Sequence, residues 1–323
     1  MNQLIDNYIE ENSLEKKALR DAFGDGIVQI AAQDEEVVVL NADLPGSLRL
    51  ENFIEAFPER YLQVGVAEQN MASIAAGLSH YGKKPYITSF AAFSPGLNFS
   101  QIRVAAMSAQ NLKIVSSHYG LNVGPDGASA QMESDVAMIK ALPGMTILNP
   151  ADYNQAKSLL KEMHNINGPA YMRLTREKFP IFTKVDSSYE IGKIQKLTDG
   201  GKLTVVATGS MVYETLQAIV LAGAWEVGQV DFLNLHTIKP VDERVLIESV
   251  KKTGKLLIVE EHNVWGGVGE TLSRIVSEEV PSLIKTIAIN DKFGRSGSHK
   301  ELWKLYGLDR QHIADEISLL LNK

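Results

Sequence analysis

Residues 61–78 read YLQVGVAEQNMASIAAGL, and this stretch decides the fold. Tyr61, Leu62, Val64 and Val66 form an apolar run with β-branched members, whereas Met71 to Leu78 is rich in small residues and has the composition of a buried helix. Glu68 therefore falls at a strand-to-helix junction between two apolar elements. A glutamate is seldom buried without a partner, and loss of solvation favours the neutral form of a carboxyl. That property suits acid/base chemistry. A first-turn glutamate complementing the helix dipole is the competing structural explanation, and the stretch alone leaves both open.

The same alternation extends outward in both directions. Upstream, Leu19, Phe23, Ile27 and Ile30 recur at helical spacing within residues 14–32, and EEVVVL at 35–40 is a strand ending in the loop Asn41 to Ser47. Downstream come strand KPYITSF (84–90), a helix through 101–107, strand LKIVSSH (112–118) and a glycine-rich loop from Tyr119 to Ala130. The helix 134–141, strand TILNP, helix 152–164 and strand PAYMRL complete a first unit. A polar stretch at about 184–200 separates it from a second alternation, which runs from KLTVVATG through KLLIVEEH to TIAIND and a C-terminal helix. The expected architecture is α/β: two three-layer α/β/α domains with mainly parallel sheets, residues 1–188 and 189–323. Residues 1–13 look like a further helix that packs on a neighbour.

Composition bounds the function. A chain of 323 residues is long enough for two cores. A formal charge of −7 favours neither nucleic acid nor an anionic membrane as partner. The absence of cysteine excludes disulfides, thiolate catalysis and cysteine-ligated metals. With no signal peptide and no apolar run of spanning length, a cytoplasmic location is expected.

The candidate site residues lie where strands end, the position at which open α/β sheets bind ligands. His118 closes a strand beside the glycine-rich loop that carries Asp126, and Arg173 and Arg176 close YMRLTRE as two donors that could clamp a phosphate or carboxylate. Phe90 and Phe93 follow KPYITS; as aromatics they serve packing as readily as a binding platform. Gly24-Asp25-Gly26 with Asn52 mimics a cation- and diphosphate-binding pattern, but falls inside the amphipathic first helix and is expected to be accidental. Trp265-Gly266-Gly267-Val268-Gly269 lacks full dinucleotide-binding spacing and is expected to be a tight turn.

The blocks VLNADLPGS, FPERYLQVGVAEQNMASIAAGL, SFAAF, SSHYGLNVGPDGASAQ, RLTRE, VVATGSMV, HTIKPVD, VEEHNVWGGVGE and DKFGRSG together resemble the C-terminal half of transketolase, in the form encoded as a separate subunit. The resemblance covers nearly the whole chain and implies a pyrimidine-binding domain followed by the transketolase C-terminal domain. It implies thiamine diphosphate as cofactor, with the diphosphate and Mg2+ held by a separate N-terminal subunit carrying the true GDG…N motif, in an α2β2 assembly. This chain would contribute no metal ligand. Glu68 matches the glutamate that hydrogen-bonds the aminopyrimidine nitrogen, so that the ring can take its imino form and draw off the thiazolium C2 proton. Phe90 and Phe93 match the aminopyrimidine pocket, Leu44 the wedge that bends the cofactor, and Asp43 lies beside it. Arg20, Ser47, His118 and Arg176 match positions gripping a sugar phosphate, and Asp126 a carboxylate that orders a substrate hydroxyl.

One position departs from the pattern. Ala130 stands where the family places a histidine that polarises the donor ketose, a loss worth about tenfold to several hundredfold in rate. The implied activity is transfer of a two-carbon ketol unit from a ketose phosphate to an aldose. The alternatives are a β-type subunit of a 2-oxo-acid dehydrogenase or acyl-transferring enzyme, which shares both domains, and a catalytically silent subunit that only binds a partner.

Overall fold

The computed structural model describes residues 3–225 and 228–323. The chain opens with strand β1 (Lys16–Ala18), helix α1 (Leu19–Ala31), β2 (Val37–Asn41), α2 (Glu51–Ala56), β3 (Tyr61–Gln63) and α3 (Glu68–His80). It continues through β4 (Lys84–Phe90), α4 (Phe99–Met107), β5 (Lys113–Ser117), α5 (Asp135–Lys140), β6 (Thr146–Leu148), α6 (Tyr153–Asn165), β7 (Ala170–Leu174) and β8 (Lys178–Pro180). The second half contains β9 (Gln195–Lys196), β10 (Leu203–Ala207), α7 (Met211–Leu221), β11 (Val230–Asn234), β12 (Thr237–Lys239), α8 (Glu243–Thr253) and β13 (Lys255–Asn263). It ends with α9 (Val268–Glu279), β14 (Leu283–Ile289), α10 (His299–Tyr306) and α11 (Arg310–Leu321).

Two mainly parallel sheets follow from the apolar runs. Strands such as β2, VVVLN, are buried along their whole length, which is what helices on both faces of a parallel sheet impose. The first sheet has the order β12-β6-β7-β5-β4-β2-β3 and the second β14-β13-β10-β11-β9. Among the described residues, only the edge pairs β12–β6 and β11–β9 are antiparallel within these sheets. In the first sheet β2 is flanked by β3 and β4, so successive connections leave it in opposite directions. Its carboxyl end is a topological switch point, the place at which open α/β sheets form their ligand crevice.

Several elements depart from the sequence expectation. Residues 3–13 hold no α-helix: Leu4 is buried and bridges Thr183, and only a 3-10 turn forms at Glu11–Ser13. The first helix begins at Leu19, because Lys16–Ala18 pair antiparallel with Lys178–Pro180. The C-terminal helix is two helices broken at Gly307, which adopts φ 72°. Strand β12 comes from the second half of the sequence yet hydrogen-bonds into the first sheet.

Two motifs have structural roles. Gly24 to Gly26 lie within α1, where Asp25 accepts a hydrogen bond from the Tyr153 hydroxyl. The glycine turn at 266–269 wraps the buried Glu260 carboxylate, which accepts the Val268 and Gly269 amides at 2.7 and 2.8 Å. A side chain on Gly267 would meet that carboxylate at 2.5 Å. The N-terminus of α9 is thus occupied by the protein's own anion.

Arg173 does not clamp a ligand. It is 1% exposed, donates to Asp135 at 2.6 and 2.9 Å, lies 3.9 Å over the Tyr119 ring and reaches the Glu261 carbonyl at 3.3 Å. The Asp135 carboxylate also accepts from the Tyr171 hydroxyl at 2.6 Å. Arg173→Met should lower stability by about 3–5 kcal/mol, because a buried carboxylate loses its counter-charge. Arg173→Met with Asp135→Leu should recover most of that loss, as read from urea unfolding midpoints.

Candidate functional site

Glu68 is positioned by the turn after β3. Gly65 takes φ 72°, Ala67 caps α3, and Glu68 opens the helix at 6% exposure. Its carbonyl accepts from Asn98 Nδ2, which also reaches Ser94 Oγ. This ties the start of α3 to the segment after β4. The Glu68 carboxylate has no hydrogen-bond or ionic partner among the described residues. Its oxygens are not among the buried unpaired polar atoms, so the carboxylate meets solvent at the crevice and is open to a donor from outside the fold. Near it in the fold, Val66 two residues before and Leu97, whose carbonyl accepts from Gln69, are 78% and 55% exposed, so apolar surface is exposed on the segments that flank it.

The loop after β2 is fixed to the same turn. Gln63 Oε1 accepts the amides of both Asp43 (2.9 Å) and Gly65 (3.1 Å). Asn41 Oδ1 accepts the Leu44 amide at 2.6 Å, while its Nδ2 donates to Thr88 of β4. Asp43 is exposed and held at φ 59°, a conformation sustained by those contacts. Leu44 is half-buried and packs on the core at the mouth of the crevice.

Phe90, Phe93 and His118 form a stack. The rings of Phe90 and Phe93 lie 5.6 Å apart at 12°, and those of Phe90 and His118 3.7 Å apart at 18°. His118 follows β5 in a left-handed conformation, φ 62°, with its Nδ1 2.6 Å from Ser117 Oγ. Burial, reinforced by Arg20 and Arg176, pushes its imidazole down to about 3. It is therefore a neutral hydrogen-bonding group at physiological pH.

The opposite part of the crevice is cationic. Arg20 at the start of α1 donates to the Ser47 carbonyl at 3.2 Å, and its Nε is buried without a partner. Burial, then the nearby Arg49, lowers the affinity of its guanidinium for its proton. The Arg176 amide donates to Asn122 Oδ1 at 3.1 Å, and its guanidinium donates to the Val123 carbonyl. Asp126 lies 3.9 Å from that guanidinium. Two planar guanidiniums around one neutral imidazole suit a bidentate anion such as a phosphate.

The structure thus joins Arg20 with Ser47, Arg176 with Asp126, and His118 with Phe90, which stacks in turn on Phe93. Glu68 makes no hydrogen bond or ion pair with these side chains among the described residues; Asn98 joins its carbonyl to Ser94, and Gln63 joins the turn before it to Asp43. Gln63, Asn41, Asn98 and Asn122 are supports that sequence reasoning missed. Their common signal is an amide side chain at or near an element end, too frequent in loops to be diagnostic.

The sequence matches the transketolase pyrimidine-binding domain over residues 15–181 and the transketolase C-terminal domain over residues 192–313. The chain belongs to the transketolase family. A putative transketolase C-terminal section from Methanocaldococcus jannaschii is 38% identical, covering 93% of this chain and 95% of the relative. A 6-deoxy-6-sulfo-D-fructose transketolase subunit from a Clostridium species is 33% identical, covering 94% of each. Among solved structures, a split-gene transketolase described as an inactive beta4 tetramer superposes with a TM-score of 0.86 at 33% identity, covering 95% of this chain and 99% of that one. This transketolase-family chain therefore matches the C-terminal subunit of a split transketolase, and family membership implies thiamine diphosphate. The residues fit that cofactor: an unpartnered carboxylate awaits a donor at the crevice, beside half-buried aromatic rings and an apolar residue on the loop after β2.

The His118 value carries a stability prediction. The unfolded imidazole protonates at an ordinary pKa of about 6.5, well before the folded one. The unfolded state then binds more protons, so this contribution is full above 6.5 and is lost as pH falls below it. About 2 kcal/mol should disappear between pH 6.5 and 5, at roughly 1.4 kcal/mol per unit. His118→Asn should show a correspondingly shallower decline in urea midpoint over that range.

Proposed function

We propose that this chain is the pyrimidine-binding half of a thiamine-diphosphate-dependent transketolase, moving a two-carbon ketol unit from a ketose phosphate to an aldose acceptor. It acts with a separate subunit that holds the diphosphate and Mg2+, in an α2β2 assembly. The observation that carries this reading is Glu68, a residue 6% exposed whose carboxylate has no partner among the described residues, near exposed Val66 and Leu97. A second subunit covering that apolar surface would enclose the carboxylate together with a cofactor whose ring nitrogen partners it.

When bound, thiamine diphosphate supplies the thiazolium carbon that carries the ketol unit. The residues of this chain have separable tasks. Glu68 holds or shares a proton at the aminopyrimidine nitrogen. Phe90 and Phe93 provide the face against which the ring lies, while Leu44, with Asp43 beside it, shapes the crevice mouth. Arg20, Ser47, His118 and Arg176 grip the substrate phosphate, with His118 in neutral form. Asp126, beside Arg176, orders a substrate hydroxyl.

Two features refine the substrate class. Arg20, Ser47, His118 and Arg176 together match positions that grip a sugar phosphate, which favours a phosphorylated substrate and argues against the dehydrogenase-type alternative. A relative that acts on a sulfonated fructose supports an acidic sugar without specifying which. Ala130 removes one imidazole from the donor site and keeps acyl transfer as the alternative to test.

The test is to mix the purified chain with a diphosphate-binding subunit, thiamine diphosphate and Mg2+, and follow ketol transfer. Activity should require both subunits. Glu68→Gln should lower kcat by about 10²–10⁴-fold while leaving assembly and thermal stability intact. Ketol transfer by the isolated chain, or an active Glu68→Gln complex, would overturn the proposal, and pyruvate-dependent acyl transfer without ketose turnover would select the alternative.

A further inference from the structure

The loop that carries the sugar-phosphate grip is held by an anion from the other domain. Glu261 lies in β13 of the second sheet and is 1% exposed. Its Oε1 accepts the amides of Leu121 (2.7 Å) and Asn122 (3.0 Å), and its Oε2 accepts from Ser210 Oγ at 2.7 Å. The same Ser210 hydroxyl accepts from the Tyr119 hydroxyl, which in turn accepts the Ser210 amide. Gly120 takes φ 62°, and a side chain there would meet the Glu261 carboxylate at 2.6 Å. The glycine is what allows the carboxylate to reach the backbone.

The contacts continue directly to the grip. Asn122, whose amide is bound by Glu261, uses its Oδ1 to accept the Arg176 amide at 3.1 Å. The next residue, Val123, accepts from the Arg176 guanidinium through its carbonyl. His118 lies three residues before Leu121. A carboxylate that accepts three hydrogen bonds from a rigid surround fixes backbone more firmly than loop contacts alone, since charged acceptors bind roughly twice as strongly as neutral ones.

We infer that Glu261 is a positioning residue: by clamping the Leu121 and Asn122 amides it sets Arg176 and His118 at the spacing that binds an anionic sugar. The second domain thereby controls substrate affinity from beneath the site while touching neither cofactor nor substrate. The inference rests on the reading of Arg176 and His118 given above. Its signature is selective. Loosening the clamp weakens recognition of the phosphate and leaves the pyrimidine side unchanged, because Glu68 and Phe93 are tied to different segments and Phe90, although it stacks on His118, is held within β4.

The test uses the reconstituted complex with thiamine diphosphate and Mg2+, comparing wild type, Ser210→Ala and Glu261→Gln. Ser210→Ala should raise KM for a phosphorylated ketose about fivefold, the size of one hydrogen bond, and Glu261→Gln about tenfold or more. For a non-phosphorylated ketose KM should be unchanged, as should kcat and the thiamine diphosphate concentration for half-activity. Hydrogen exchange should show faster exchange of the Leu121 and Asn122 amides in Glu261→Gln. Where Glu261→Gln fails to fold, Ser210→Ala decides. Parallel losses in kcat, cofactor affinity and both KM values, or no change in KM for the phosphorylated ketose, would overturn the inference. A wild-type complex without ketol transfer would instead overturn the proposed function. Amide exchange then still decides on Glu261, since unchanged protection of Leu121 and Asn122 would overturn its role as a clamp.

Discussion

The buried ion pair between Arg173 and Asp135 is the interaction on which the surrounding architecture depends. Arg173 projects from β7, near the middle of the first sheet, and Asp135 begins α5. Around them converge the Tyr171 hydroxyl, the Tyr119 ring and the Glu261 carbonyl. A charge in that position is tolerated only with its geometry satisfied. The pair therefore fixes three elements at once: a central strand, the start of the glycine-rich loop and the second domain. Strand β12 adds a backbone link in the same direction by extending the first sheet with chain from the second half.

From this anchor the crevice acquires two regions with different physical character. At the carboxyl ends of β2 and β3, amide side chains hold an apolar mouth and one carboxylate without an internal partner. At the carboxyl ends of β5 and β7, the backbone is bent through left-handed His118 and secured from below by a buried glutamate. There two guanidiniums face a neutral imidazole. Backbone conformations of this kind persist where neighbouring contacts over-determine them, and Gln63, Asn122 and Glu261 are those contacts. The apolar mouth suits a ring and a covering subunit, and the cationic region suits a small anion.

Much of the fold was legible because parallel strands buried on both faces must be apolar along their length. KPYITSF occupies residues 84–90 as expected, KIVSS and AYMRL fall within one residue of their expected bounds, and the strand expected at 35–40 lies at 37–41. The segments that misled were short or polar. Leu4 and Lys16–Ala18 are ordered by pairing with chain more than 150 residues away, and no local pattern signals a partner at that distance. The two C-terminal helices looked like one because helical spacing of apolar residues continues through a glycine cap. Arg173 and Arg176 appeared equivalent three positions apart, yet one is 1% exposed in a salt bridge and the other faces the crevice mouth.

The sequence by itself determined the class of fold, the family and the residue types at the strand ends, because periodicity and motif are properties of neighbouring positions. It also marked Glu68 as a carboxyl between two apolar elements. Tertiary structure decided which charges are spent within the fold and which remain for a ligand. Arg173, Glu260 and Glu261 are consumed internally, whereas the Glu68 carboxylate has no partner among the described residues and Arg20 keeps a buried nitrogen unpaired. That distinction depends on solvation and on contacts between residues far apart in the chain, which sequence spacing does not encode.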